Sequence, residues 1–306
     1  MRTIRAIPAL WLAVVLSCFA SAADAQNARA ARKQIEGSML VTGRVTITPG
    51  GTVGGWTIDR REDLPPAVAH VIDASAPGWR FEPILVDGRP AHGSARMSLR
   101  MVAERIDEER FRVSIRDGYF GREAVRMAQE VDDRPDAAAG GASTDQVGSL
   151  RMDAPRYPPL ALEAGVNGIV YLVLRIGPSG EVLDVVAEQV NLRVVGLERE
   201  MARMREMLAR SAMAAARRWQ FRAPTSGETT TEPFWSVRVP VDYRIHGVGQ
   251  PAGYGRWEVY VPGPRMPIPW QTESPGGVDI APDTLIAGEV HQVGMALKLL
   301  GPLEGG

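Results

Sequence analysis

A glycine opening an alternating strand, a Pro-Gly turn, a second strand and a Trp-x-Phe element occur in that order twice in this chain, and the repetition constrains the fold more than any other feature. The second occurrence reads Tyr157-Pro158, Gly168 to Ile176, the turn Gly177-Pro178-Ser179-Gly180, Val182 to Val190, a basic helical stretch and Trp219-Gln220-Phe221. The first runs from Gly43 through Pro49-Gly50-Gly51 and Val53 to Trp79-Arg80-Phe81-Glu82-Pro83. A supersecondary unit met twice predicts two small modules, each with its own core. The second is longer between its opening glycine and its Trp, and the extra residues fall in its helical region.

Local patterning fills in both modules. Val237, Val239, Val241, Tyr243 and Ile245 alternate with Ser236, Arg238, Pro240, Asp242 and Arg244, which predicts a strand with one buried and one wet face. Pro240 has no N–H to give a neighbour, so this strand belongs at a sheet edge with position 240 facing outward. The Ile169–Ile176 stretch is apolar on both faces, as a central strand is. Leu197, Met201, Met204, Leu208, Ala212 and Ala215 recur at helical spacing and form a stripe to lie on the sheet, with Trp219 and Phe221 as core anchors. In the first module Val41, Val45 and Ile47 alternate with Thr42, Arg44 and Thr46, and Ala95, Met97, Leu99 and Met101 with Ser94, Arg96, Ser98 and Arg100. A short helix spans about 65–75, and Phe111, Val113 and Ile115 add a strand with no counterpart in the second module. The expected fold class is α+β: two small domains, each a short antiparallel sheet with a helix packed on one face.

Residues 1–25 read as a signal peptide: Arg2 and Arg5 precede an apolar run from Ala6 to Leu16, and Ala23-Asp24-Ala25 offers a cleavage site before Gln26. This places the protein in the periplasm. Val15-Leu16-Ser17-Cys18 resembles a lipobox, and lipidation of Cys18 is the alternative that would associate the chain with a membrane. Cys18 is the only cysteine, so neither disulfides nor thiolate metal sites hold the fold. The remaining boundaries are a first domain at 26–121, a linker at 122–148 containing Asp132, Asp133, Asp136 and Gly140-Gly141, a second domain at 149–247, and a Pro/Gly-rich extended tail at 248–306. Pro251, Pro262, Pro264, Pro267 and Pro269, interleaved with Trp257, Tyr260 and Trp270, keep that tail out of helix and inner strand, and it is expected to pack back on the protein's own domains.

A formal net charge of -1 gives no reason to expect nucleic acid. The arginines that crowd 193–222 read as a solvated helix face. His70, His92, His246 and His291 are scattered, and no Gly-x-Ser-x-Gly, His-Glu-x-x-His or phosphate loop is present. No catalytic, cofactor or metal residue is therefore assigned. An enzyme whose site assembles from distant residues stays as the third-ranked reading.

The Tyr-Pro element, the helix after it, the Gly168 strand, the Gly177–Gly180 turn, Trp219-x-Phe221 and the last strand together resemble the TonB C-terminal domain family over about residues 150–246. The first unit, about 39–103, resembles a degenerate copy. The resemblance implies a three-stranded antiparallel sheet carrying helices on one face, whose free edge receives an extended peptide, the TonB box of an outer-membrane transporter. Carried over, it implies a partner-binding surface of Asp153, Ala154, Pro155, Arg156 and Tyr157 together with the edge strand through Trp235, Val237, Val239, Val241 and Tyr243. Departures from the family are an apolar leader that looks cleavable, with no ionisable residue between Arg5 and Asp24, and a folded unit following it almost at once. Three functions compete: a TonB-type transducer or receptor-binding protein, a periplasmic adaptor or structural module without energy coupling, and an enzyme. Domain resemblance does not by itself establish energy transduction.

Overall fold

The computed structural model describes residues 36–86, 88–107, 110–122, 145–245, 254–270 and 280–304. The leader with Cys18 and most of the expected linker lie outside the described residues, as do 246–253 and 271–279 of the expected second domain and tail. The elements are β1 (Glu36–Ile47), β2 (Val53–Ile58), α1 (Pro66–Ser75), β3 (Gly93–Arg105), β4 (Phe111–Arg122), β5 (Gly148–Arg151), α2 (Pro159–Glu163), β6 (Gly168–Ile176), β7 (Val182–Leu192), α3 (Glu198–Ala216), β8 (Gln220–Arg222), β9 (Trp235–Tyr243), β10 (Glu258–Tyr260) and β11 (His291–Gln292). The fold is α+β, built on two principal antiparallel sheets.

In the first sheet β1 lies between β3 on one side and β2 and β10 on the other, and β4 pairs outside β3. In the second, β6 lies between β7 and β9, and β11 pairs outside β9. β6 and β9 face each other without a break from Gly168 opposite Tyr243 to Ile176 opposite Trp235. The inward residues of α1 (Val68, Ile72) and of α3 (Met201, Leu208, Ala212, Ala215) are buried, the first pair in a cluster with Val41, Val45 and Met97. In the second module Met201, Leu208 and Ala212 join Val170, Leu172, Leu174, Val237 and Val239. The greater length of the second module comes from a strand of 11 residues against 6 and a helix of 19 against 10.

Both modules close with the same backbone device. Gly51 (φ 78°) and Gly180 (φ 82°) end the Pro-Gly turns in the left-handed region. Gly51 N–H donates to Thr48 O at 2.9 Å and Gly180 N–H to Gly177 O at 2.9 Å. Each glycine carbonyl then accepts the N–H of the Phe in the Trp-x-Phe element, Phe81 at 2.7 Å and Phe221 at 2.8 Å. Approach is so close that a Cβ would stand 2.1 Å from Phe81 O at position 51 and 1.8 Å from Phe221 O at position 180. The tryptophans beside these clamps are buried and each donates its indole N–H to a carbonyl, Trp79 to Leu303 O at 2.7 Å and Trp219 to Asp153 O at 2.8 Å.

The strand at 111–122 has a structural role that its sequence position did not suggest. β4 brings Phe120 edge-on to Trp79 and Phe81, with ring centroids 5.4 and 4.9 Å apart, completing the first core.

One expectation is corrected. The faces of β3 and β9 read as wet are largely buried: Ser98, Arg100, Arg238 and Pro240 are all inaccessible. The physical reason is that the polar faces of the two sheets are turned toward each other, with tail residues between them. A cavity of about 360 Å³ remains there, lined among others by Leu40, Thr42 and Arg100 of the first sheet and Tyr171, Asn191 and Asp242 of the second.

Gly180→Ala should destabilise the protein by about 2 to 4 kcal/mol, because the side chain meets both a left-handed backbone and the Phe221 carbonyl. Trp219→Ala should cost about 3 to 5 kcal/mol, as truncation of a buried aromatic does. Urea denaturation of the variants measures both. A loss under about 1 kcal/mol at either position would contradict the clamp or the core assignment.

Candidate functional site

The side chains of Trp235, Val237, Val239, Val241 and Tyr243 all point into the second core. β9 therefore has only its backbone edge, and not these side chains, to offer a partner. The outer edge of β9 is not free, which corrects the expectation of an open edge. β11 pairs with it antiparallel, Gln292 opposite Val237 and His291 opposite Arg238. Gly288 N–H donates to Pro240 O and Val293 N–H to Ser236 O, each at 2.9 Å. Pro240 O thus points toward the segment that carries β11, and the Pro240 nitrogen on the same side has no hydrogen to offer.

Residues 153–157 meet β9 at one end only. Tyr157 stands edge-on to Tyr243 with centroids 5.4 Å apart, and its hydroxyl donates to Val166 O. Asp153, Ala154 and Arg156 are exposed, whereas Pro155 is half-buried. The segment is tied to the helical side of the module through Trp219 to Asp153 O and Ser211 Oγ to Arg156 O. Two parts of the expected surface thus come together at Tyr157–Tyr243, and Asp153 to Arg156 run away from the edge toward α3. Burial raises the Tyr157 phenol above its ordinary value and pushes that of Tyr243 up to about 12.

Sequence reasoning missed two buried ionic clusters. Between Tyr171 and Leu172 the β6–β7 register slips, so Glu188 has no residue opposite it. Its carboxylate accepts Arg238 Nε at 2.8 Å and Arg265 Nε at 2.9 Å and is nearly inaccessible. A bulge re-aims a side chain, and this one carries a charge from β7 onto the inter-sheet face. The only available signal was Arg238 itself, and its partner depends on a bulge that period-two counting does not reveal. The second cluster joins tail to first sheet: Arg100 Nε donates to Asp283 O at 2.9 Å, and Arg116 pairs with the Asp283 carboxylate at 2.8 Å. Buried pairs such as these are costly to break singly, because the remaining charge stays desolvated.

The strap, residues 280–304, therefore spans both modules. After β11, Leu297 N–H donates to Phe120 O at 2.8 Å and Leu300 N–H to Arg80 O at 2.7 Å. His291 stands edge-on to Tyr119 of β4, centroids 5.0 Å apart. Burial lowers the His291 pKa to about 4, helped by the Arg238 charge and opposed by the bond to Ile286 O; burial, with Glu289 nearby, pushes Tyr119 up to about 12. A shorter tail segment closes part of β7, where Val261 and Leu192 exchange backbone bonds and Met266 N–H donates to Glu188 O at 2.7 Å.

Among the described residues no cluster of His, Cys, Asp and Glu is arranged to hold a metal, and no helix is long and apolar enough to cross a membrane.

No family model matches the chain, and no solved structure matches it. It is similar to two curated proteins named Protein TonB, from two strains of Xanthomonas campestris pv. campestris, each 37% identical over 107 residues. The match covers 35% of this chain and 41% of the relatives' length. This likeness supports a TonB C-terminal-like domain within the chain.

His291 sets a pH dependence. Its folded pKa lies below the ordinary histidine value, so the unfolded chain takes the proton first and stability falls as pH drops from about 6.5 toward about 4. Between pH 7 and 4.5 the wild type should lose about 2 kcal/mol more than His291→Phe. Urea midpoints at the two pH values measure this, and equal losses would place His291 in water.

Proposed function

We propose that this chain is an exported, TonB-like envelope protein of the periplasm whose second module, residues 149–247, binds an extended partner peptide by adding it to the outer edge of β9. The observation that carries this reading is a sheet in which β6 and β9 are paired over nine residues, while the far side of β9 is met by a two-residue ladder with a single backbone bond at either end. Strand addition draws its affinity from main-chain hydrogen bonds, so inward-facing side chains on β9 are no obstacle. The 37% identity to Protein TonB supports the same direction and makes the TonB box of an outer-membrane transporter the first partner to test. Tyr157, packed on Tyr243, marks the end of the edge, beyond which Asp153 to Arg156 turn toward α3. The matching turn clamps at Gly51 and Gly180 support reading the first module, about 39–103, as a degenerate copy. Signal cleavage before Gln26 and domain boundaries near 121 and 149 belong to the same reading.

A second reading has its own observation. The chain's own tail lies on β9 and on part of β7, as in a structural or adaptor module that has no outside peptide to bind.

Titration of the mature protein with a TonB-box-type peptide, followed by backbone amide NMR, separates the two. Shifts should concentrate on Ser236 to Asp242 and on Tyr157. Shifts confined to the arginine-rich face of α3, or absence of binding, would leave the structural module. Intact mass tests export: a mature chain starting near Gln26 is expected, and a diacylglyceryl-modified chain beginning at Cys18 would replace it with the lipoprotein reading.

A further inference from the structure

We infer that Gly288–Val293 is a tethered stand-in for the partner strand, which holds the β9 edge closed and swings away when an extended peptide takes its place. The inference rests on the strand-addition reading above and concerns how that site is regulated.

The two modules supply the comparison. In the first, the edge of β3 that corresponds to the outer edge of β9 is filled by β4, paired from Ala95 opposite Arg122 to Arg105 opposite Phe111. That closure also buries Phe120 in the first core. In the second, the same position holds the two-residue ladder of His291 and Gln292, with the Gly288 and Val293 N–H bonds on either side of it. One edge is filled for good and the other is filled lightly.

The light closure is also built to move. Gly288 and Gly294 flank the paired stretch, both in the left-handed region at φ 82° and 87°, with open space where a Cβ would stand. Outside this bracket the strap is held independently: Asp283 by Arg100 and Arg116 on one side, Leu297, Leu300 and Leu303 by the first module on the other. The stretch between the glycines can leave β9 while both ends stay docked. Pro240 removes one donor from the contact, which limits how tightly any occupant is held.

The occupant describes its replacement. Val290 packs against the second core, and Gln292 on the same face accepts Val147 N–H through its side-chain oxygen at 2.8 Å. His291 lies against Tyr119 on the other face. The structure therefore assigns a ligand class: an extended peptide with a small branched apolar residue and, two residues later, a side chain that accepts a hydrogen bond.

The test uses the full mature chain and two probes, the TonB-box-type peptide and a synthetic peptide of residues 286–295. Val237 and Gln292 lie opposite each other. Val237→Cys/Gln292→Cys, with Cys18→Ser if the leader is retained, pins the strap by a disulfide that reductant opens. A tethered competitor acts at an effective concentration of the order of millimolar. The oxidised form should thus bind either probe at least tenfold more weakly than the reduced form. Val293→Pro deletes the N–H given to Ser236 O without touching β9, and should bind about tenfold more tightly than wild type, with faster amide exchange at Gly288. Equal affinity in oxidised and reduced forms, with binding observed, overturns the stand-in and leaves strand addition in place. If the cysteine pair does not fold, unchanged affinity in Val293→Pro overturns it equally. Absence of binding in every form, Val293→Pro with its strap shown free by exchange included, overturns the strand-addition reading and the inference together.

Discussion

Each module depends on a single backbone contact: the carbonyl of the turn glycine receiving the N–H of the Phe in the Trp-x-Phe element. The contact returns the chain from the helix to the hairpin that preceded it. It thereby fixes where the helix lies and where the next strand begins. Only glycine meets the two requirements together, a left-handed φ and a carbonyl in the space of a Cβ. The Trp adjacent to the clamp locks it from the other side by burying its ring and donating its indole N–H. In the first module that acceptor is Leu303 of the strap, so the tail is part of the first core's closure.

From this clamp the rest follows by layers. Each helix covers one face of its sheet, and the uncovered faces, rich in Ser and Arg, meet across the tail. Such faces do not associate through apolar burial alone, because charges leaving water need partners. Glu188 with Arg238 and Arg265, and Asp283 with Arg100 and Arg116, meet that requirement. The tail is thus an element shared by both modules. Its contact with the β9 edge is a two-residue ladder with one further backbone bond at each end.

The functional reading and the structural one differ on a single question, whether the β9 edge is closed for good. The contrast between β4 on the first sheet and β11 on the second locates that question in a five-residue stretch bracketed by two glycines. No assigned catalytic group enters it. In the proposed strand addition the chemistry is that of main-chain hydrogen bonds exchanged between an internal strand and an external one, at an edge where Pro240 supplies no donor.

Much of the architecture was legible in the order of residues, because it depends on local periodicity and on residue types with few conformational options. The two-faced apolar run in Ile169–Ile176, the alternation in 235–243, the stripe from Leu197 to Ala215, the turns ending at Gly51 and Gly180 and the anchoring role of Trp219 are all of this kind. The candidate edge strand was legible for the same reason, and Pro240 marked its outer side. What occupies that edge was not. The pairing of His291 and Gln292 with β9 joins residues about fifty positions apart through backbone groups that every residue carries, so no side-chain pattern announces it. Nor could alternation tell a wet face from one turned against another sheet, since Ser98, Arg100 and Arg238 suit both until their partners arrive. Glu188 reaches those partners only because a bulge turns it out of the two-residue period. The sequence by itself determined the principal strands, helices and turns of the two sheets; tertiary structure alone decided which edges and faces are covered, because that depends on contacts between segments that local propensity does not couple.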